Sequence, residues 1–454
     1  MRVSRSTSSK PSRLRIVNPN AAGIDIGSRE HFVCAGDGRP VRSFGCYTAS
    51  LHAMASWLRE CGVETIAMES TGVYWIPAYQ VLEAAGFEVL LVDSRHLKGV
   101  PGRKTDVQDC QWLQHLHEAG LLTGSFRPAS EVVVLRSYIR QRRTLTEESA
   151  RHIQRMQKAL EQMNIQLHKA LTSITGQTGM AILRAIIVDG ERDPEKLASH
   201  RNYRVRKPHA ELVAALTGDW REEHLFVLRQ EWGLYHQLQE HIAACDAQIE
   251  LHYRHYADAS VATDVELPPA KDRKQDTPLR AHLFRILGVD ATAIPGMSPD
   301  TVLSIISEVG ADMTKWPSAD HFVSWLRLCP NNRITGSHRH RAAPLPRVNR
   351  ATLAFRQSAQ ALARSSGFLG VFYRRMRGRK GGPYAVVATA AKLARVFYLV
   401  VRRRAPYREL GRDHYDMVHR QRVVHRMVKR IRALGYQISP DDIRPLEETA
   451  DAVP

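Results

Sequence analysis

Between Ala21 and Pro128 the apolar positions change rhythm repeatedly, and each change marks an element. Gly23-Ile24-Asp25-Ile26-Gly27 opens a strand, and His31–Cys34 and Val41–Cys46 follow across the turn signal Gly36-Asp37-Gly38-Arg39-Pro40. Short apolar runs parted by such a turn predict an antiparallel meander. Ser50–Glu60 then sets Leu51, Met54 and Leu58 on one helical face. Thr65–Glu69 reads as a short buried strand, and Trp75–Ala85 as a helix closed by Gly86. Phe87–Val92 is a continuous apolar strand, and Asp106–Ala119 a helix closed by Gly120. Strands alternating with helices predict an α/β domain over 21–128.

Further on the period lengthens. Ile153, Met156, Leu160, Met163 and Leu167 recur in steps of three and four, and Leu228, Trp232, Tyr235, Leu238, Ile242, Cys245 and Ile249 keep nearly the same rhythm. The spacing predicts two long helices over 129–265, packed as a hairpin or coiled coil, with a globular bundle as the alternative. Gly176–Pro208 has no assignable pattern. Residues 266–280 are polar and Pro-containing, a linker. A mainly helical unit is expected over 281–405, then a charged, partly helical tail over 406–454. Residues 1–20 carry Arg2, Arg5, Lys10, Arg13 and Arg15 with no acid, and read as a mobile basic arm. No internal repeat is visible. No apolar run approaches the roughly 18 residues of a membrane helix, so no membrane partner is expected.

Charge sharpens this picture. Lys and Arg number 65 against 46 Asp and Glu, a net +19, with Arg clustered rather than scattered. Such an excess favours a polyanion, and nucleic acid is the commonest one. The six cysteines stand singly, with no CxxC pair, which argues against zinc ribbons and a disulfide framework. A reducing cytoplasm fits.

Four acids carry the candidate chemistry. Asp25 sits between Ile24 and Ile26 in a strand, where an unpaired carboxylate is costly to bury unless a cation offsets it. Glu69 ends the run Thr65-Ile66-Ala67-Met68, at the carboxyl end of a strand, where open α/β sheets bind ligands. Asp106 and Asp109 share one face at a helix start. Singly each has an ordinary reading: a strand aspartate as turn or ion-pair residue, Asp106 as a helix cap, Asp109 on a solvated face. Together, from two strands and a helix, they suit hard divalent cations, which prefer oxygen ligands. The metal expected is Mg²⁺, as two ions, with Mn²⁺ as the alternative. Two metals about 4 Å apart clamp the attacking and leaving oxygens of a phosphodiester.

This order of acids resembles the RNase H-like fold in its RuvC form over residues 21–120. Gly-Ile-Asp-Ile-Gly, Ala-Met-Glu-Ser-Thr-Gly-Val-Tyr-Trp and Lys-Thr-Asp-Val-Gln-Asp resemble the DEDD transposases of insertion sequences, which are bridge-RNA-guided recombinases. A second block over 285–405 resembles the family's C-terminal domain: Leu328-Cys329-Pro330-Asn331-Asn332-Arg333-Ile334-Thr335-Gly336-Ser337-His338, then Asn349-Arg350-Ala351, Phe372–Arg377 and Ala388–Arg395. Upstream, Ala293-Ile294-Pro295-Gly296-Met297-Ser298 resembles a helix-hairpin-helix turn, a phosphate site or an ordinary turn.

In that family the C-terminal domain supplies a nucleophilic serine followed by glycine. Here Thr335-Gly336 holds that place, and Ser337 lies two residues on. Thr335 keeps the position but its methyl group crowds attack; Ser337 is less hindered but displaced; either also serves as a turn hydroxyl. Arg333, His338, Arg339, His340 and Arg341, with Arg374, Arg375, Arg377, Arg379 and Lys380, are expected against phosphates. The resemblance implies an enzyme that cuts and rejoins DNA at element ends and target by phosphoryl transfer, guided by a bridge RNA. It implies a homo-oligomer, dimer or tetramer, in the bacterial cytoplasm with the nucleoid. The rivals are a junction-resolving metal nuclease using water, and a non-catalytic nucleic-acid-binding protein.

Overall fold

A computed structural model describes residues 15–36, 38–93, 105–258, 266–270, 277–330, 332–335, 338–341, 349–409 and 411–437. The chain divides into two compact units, 1–127 and 128–454.

The first unit is a mixed five-stranded sheet. Strands β1 (Ala21–Ile26), β2 (Glu30–Cys34) and β3 (Arg42–Gly45) form the antiparallel meander. Helix α1 (Thr48–Glu60) leads to β4 (Thr65–Glu69), and α2 (Trp75–Ala84) to β5 (Glu88–Val92), both joined in parallel to give the order β3-β2-β1-β4-β5. Side chains alternate across a strand. Ile24, Ile26, Ile66 and Met68 therefore share one face, where Leu51, Met54 and Leu58 of α1 and Leu82 of α2 complete an apolar core. The opposite face is covered by α3 (Asp106–Glu118), whose Leu113 packs with Ala67 and Val92. The stretch read as a mobile arm ends differently. Val17 and Asn18 donate backbone N–H groups to the Glu118 carbonyl at 2.8 and 3.0 Å, fixing the chain's entry to β1.

The second unit is built on α4 (Ser130–Gln162) and, after four shorter helices, α9 (Glu222–Asp258). Arg142 pairs with Asp246, His152 with Glu231, and His252 with the Glu131 carbonyl, so the long helices run antiparallel. Thirty-three residues at about 1.5 Å each make α4 about 50 Å long. The run Ile153–Leu167 is not one helix. α4 ends at Gln162, Asn164 takes a positive φ of 56°, and Leu167 belongs to the short α5 (Leu167–Ala170). The apolar spacing survives the break because Met156, Leu160, Met163 and Leu167 enter one globular core. That core also takes α6 (Gln177–Ile187), α7 (Pro194–Ala198) and α8 (His209–Leu216), which resolves the unassigned Gly176–Pro208 as part of a helical cap.

At the other end of the hairpin the linker stops early. Thr277 caps α10 (Pro278–Leu287), and its buried Arg280 binds Asp290 at 2.6 Å and the Pro268 carbonyl at 2.7 Å. α11 (Pro299–Val309) is tied to α4 by Glu308, 5% exposed, which accepts from Arg140 at 2.9 and 3.1 Å. α12 (Ala319–Trp325) precedes the hairpin β6 (Asn332–Thr335) and β7 (His338–Arg341). α13 (Arg350–Ala361), α14 (Phe368–Lys380) and α15 (Gly382–Arg403) follow, and α16 (Gly411–Ala433) lies in the tail. One correction concerns α15, which is long and apolar enough by length and composition to cross a membrane. Ala385, Leu393, Phe397 and Val401 are buried, as expected of a core helix.

Candidate metal centre

The carboxylates follow from strand register. Gly23 lies beside Ala67 and Ile24 beside Met68 in the parallel pair β1–β4, so one step further Asp25 stands level with Glu69. Both project from the face that α3 covers, since their neighbours Ile24 and Met68 enter the opposite core. Glu69 ends its strand, and Ser70 is held by its N–H donating to the Val92 carbonyl at 2.9 Å. Thr71 Oγ1 donates to Glu69 Oε1 at 3.0 Å.

Glycine decides where α3 sits. A Cβ at Gly23 would lie 2.3 Å from the Cys110 carbonyl oxygen and 2.4 Å from the Gln114 nitrogen, so helix and strand backbones meet there. From Cys110 back to Asp106 is four residues, a rise of about 6 Å. From Gly23 to Asp25 is two strand residues, about 6.6 Å. The helix start therefore comes level with Asp25 and Glu69. Thr105 caps α3, its Oγ1 accepting from Gln108 N at 3.3 Å. The capping role weighed for Asp106 thus belongs to Thr105. Asp106, exposed, and Asp109, half-buried, occupy the first turn, where the positive helix end favours carboxylates.

Electrostatics couple Asp25 to the other three acids. Burial, then the charges of Glu69, Asp106 and Asp109, push the Asp25 carboxyl from its ordinary range up to about 6. A backbone hydrogen bond at Ile26 opposes this. Beneath it the Cys110 thiol is pushed up to about 12, by burial first and then by Cys34 and Asp25, which keeps it protonated in the metal-free chain. Among the described residues no three His, Cys, Asp or Glu side chains stand close enough to form a ready-made metal cage. The four acids share a field without being drawn together. An all-oxygen donor set whose members raise one another's proton affinity fits a hard divalent cation.

The remaining expected residues scatter. Thr335 is the last residue of β6, opposite His338, and is part of a hairpin rather than an open loop. Ser337 lies outside the described residues, as do the side chains of Arg333 and His338–Arg341. Arg374 is turned to structural work, donating to the Ser365 carbonyl at 2.6 Å and the Ala363 carbonyl at 3.2 Å. Arg377, Arg379 and Lys380 are exposed on α14. At the turn before α11, Ser298 Oγ already accepts from Thr301 N at 3.2 Å, which occupies one of the N–H groups expected there for phosphate. Sequence reading missed Gly23 and Thr105. A glycine inside an apolar strand is the one signal that marked the first.

The sheet order gives a mixed five-stranded α/β unit consistent with an RNase H-like domain. Residues 22–165 match a transposase family of the DEDD, IS110 type, and residues 291–366 match the transposase family IS116/IS110/IS902. No curated protein matches the chain. Both matches are to transposase families of insertion sequences, and together they support an IS110-type DEDD transposase, an enzyme that acts on DNA.

Proposed function

We propose that this transposase cuts and rejoins DNA strands by attack of its own hydroxyl on a phosphodiester, assisted by divalent metal at the four carboxylates. The observation that carries the reading is Asp25, whose raised proton affinity stems partly from Glu69, Asp106 and Asp109. Asp25, Glu69, Asp106 and Asp109 would hold Mg²⁺, or Mn²⁺ in its place. Bound there, the cation supplies a positive field for a phosphate oxygen. The nucleophile is the hydroxyl of Thr335, with Ser337 as the alternative. Its oxygen forms a bond to phosphorus, the bond to one strand end breaks, and the hydroxyl proton ends on the departing oxygen. One phosphate ester replaces another, so attack by a second strand end restores the DNA and frees the protein.

The net charge of +19 supports a polyanionic substrate. We assign sequence choice to a guide RNA, as the family resemblance implies; a strongly basic protein suits the phosphate backbone and leaves base reading to pairing. A dimer or tetramer is expected, since strand exchange joins several ends. Metal binding tests the carboxylate half. Titrating Mn²⁺ into the full chain should show binding that Asp25→Asn and Glu69→Gln each weaken at least about tenfold. Equal binding by both variants would remove the site.

A further inference from the structure

The short helices of the cap on the hairpin, α5 to α8, lie between the two matched stretches, 22–165 and 291–366, and carry a cluster of cations. Residues 199–208 join α7 to α8. The segment Lys196–His209 holds Lys196, Arg201, Arg204, Arg206 and Lys207 and no acid. The loop is tightly built. Arg201 turns inward, donating to the Val205 carbonyl at 2.7 Å and the Lys207 carbonyl at 3.0 Å. The Asn202 N–H donates to Thr178 Oγ1 at 3.0 Å, and its Oδ1 accepts from the Arg204 N–H at 3.0 Å. The Val205 N–H closes a turn on the Asn202 carbonyl at 3.0 Å, while its side chain packs on the cap's core.

Those anchors leave Tyr203 outside, 81% exposed. The Arg204 guanidinium lies 5.3 Å from its ring centre, and Arg204 Nε donates to the Tyr203 hydroxyl at 3.0 Å. Arg206 and Lys207 are exposed beside it. Lys207 pairs with Glu211, an exposed contact that a phosphate can displace at little cost. A lone exposed tyrosine is unremarkable. A rigid turn that presents an aromatic face among cations is different, because nothing must be ordered when a base arrives.

We propose that this turn is a contact site for single-stranded nucleic acid: an unpaired base stacks on Tyr203 and the flanking phosphates lie against Arg204, Arg206 and Lys207. Every base has a π-face, so stacking is sequence-tolerant, and a paired base in a duplex has no free face to offer. The site requires a nucleic-acid partner but neither the metal nor the carboxylates, so it stands or falls apart from the reading above.

Oligouridine, oligothymidine and a duplex are the probes, each bound to the full chain in EDTA. Tyr203→Ala should weaken single-strand binding about 5- to 150-fold, the loss of one base stack. Tyr203→Trp should retain it, and the duplex should be unaffected by either change. Loss confined to oligouridine identifies RNA as the ligand, and loss confined to oligothymidine identifies DNA. Strands carrying 5-iodouracil should also photocrosslink to the peptide that holds Tyr203. Equal weakening of duplex and single strands, wild-type binding by Tyr203→Ala, or crosslinks elsewhere but none on that peptide would each overturn the proposal.

Discussion

Asp25 is a carboxylate set where its own protein makes ionisation costly. Its pKa is raised, so the folded, metal-free chain holds a proton that the unfolded chain, titrating near 3.8, releases. The cost is present above pH 6 and vanishes below the unfolded value. In EDTA, wild type should therefore lose stability as pH rises through this window. Asp25→Asn should be more stable than wild type at pH 7.5, by about 1–2 kcal/mol after discounting for partial exposure. Thermal melts at pH 5 and 7.5 check this; an asparagine variant less stable than wild type would contradict it. Metal affinity should fall as pH drops below 6, because proton and cation compete for the same oxygens. The acids were legible in sequence because a charge among Ile24 and Ile26 has no packing reason to be there. Thr335 was visible only by resemblance, since a hydroxyl at a turn costs nothing and leaves no physical trace.

Elements are placed by contacts that tolerate no substitution. Gly23→Ala drives a methyl group into the backbone of α3, which cannot yield as a side-chain tip would. A loss above about 3 kcal/mol is expected, together with loss of metal binding as α3 shifts. A melt like that of wild type would show that helix and strand are not pressed together at this point. Glu308→Ala should lower the urea midpoint by the equivalent of about 2–3 kcal/mol, because Arg140 and Arg136 lose their shared partner at the hairpin root. An unchanged midpoint would mean that this pair does not hold α11 to α4. The strands, the meander and α1 to α3 followed their predicted spans closely, since each buries a face of clear period. The break at Asn164 did not show, because apolar spacing records burial and not chain continuity. The cap's short helices escaped for the opposite reason: α7 is five residues long, too short to display a period.

At the scale of the whole molecule, charge and chemistry separate. A net +19 predicts DNA binding that weakens steeply with salt and survives Asp25→Asn. Filter binding across a salt series would register this, and a loss of binding in that variant would mean the carboxylates hold DNA rather than act on it. Asp25, Glu69, Asp106 and Asp109 belong to one compact unit and Thr335 to the other. The central claim is that both act on one phosphodiester. Its most direct test is a denaturing gel of the full chain incubated with element-end DNA, Mg²⁺ and co-purified RNA. The predicted result is a protein–DNA band in wild type and Ser337→Ala, missing in Thr335→Ala and in Asp25→Asn. Cleaved DNA that carries no protein would contradict the account and make water the nucleophile.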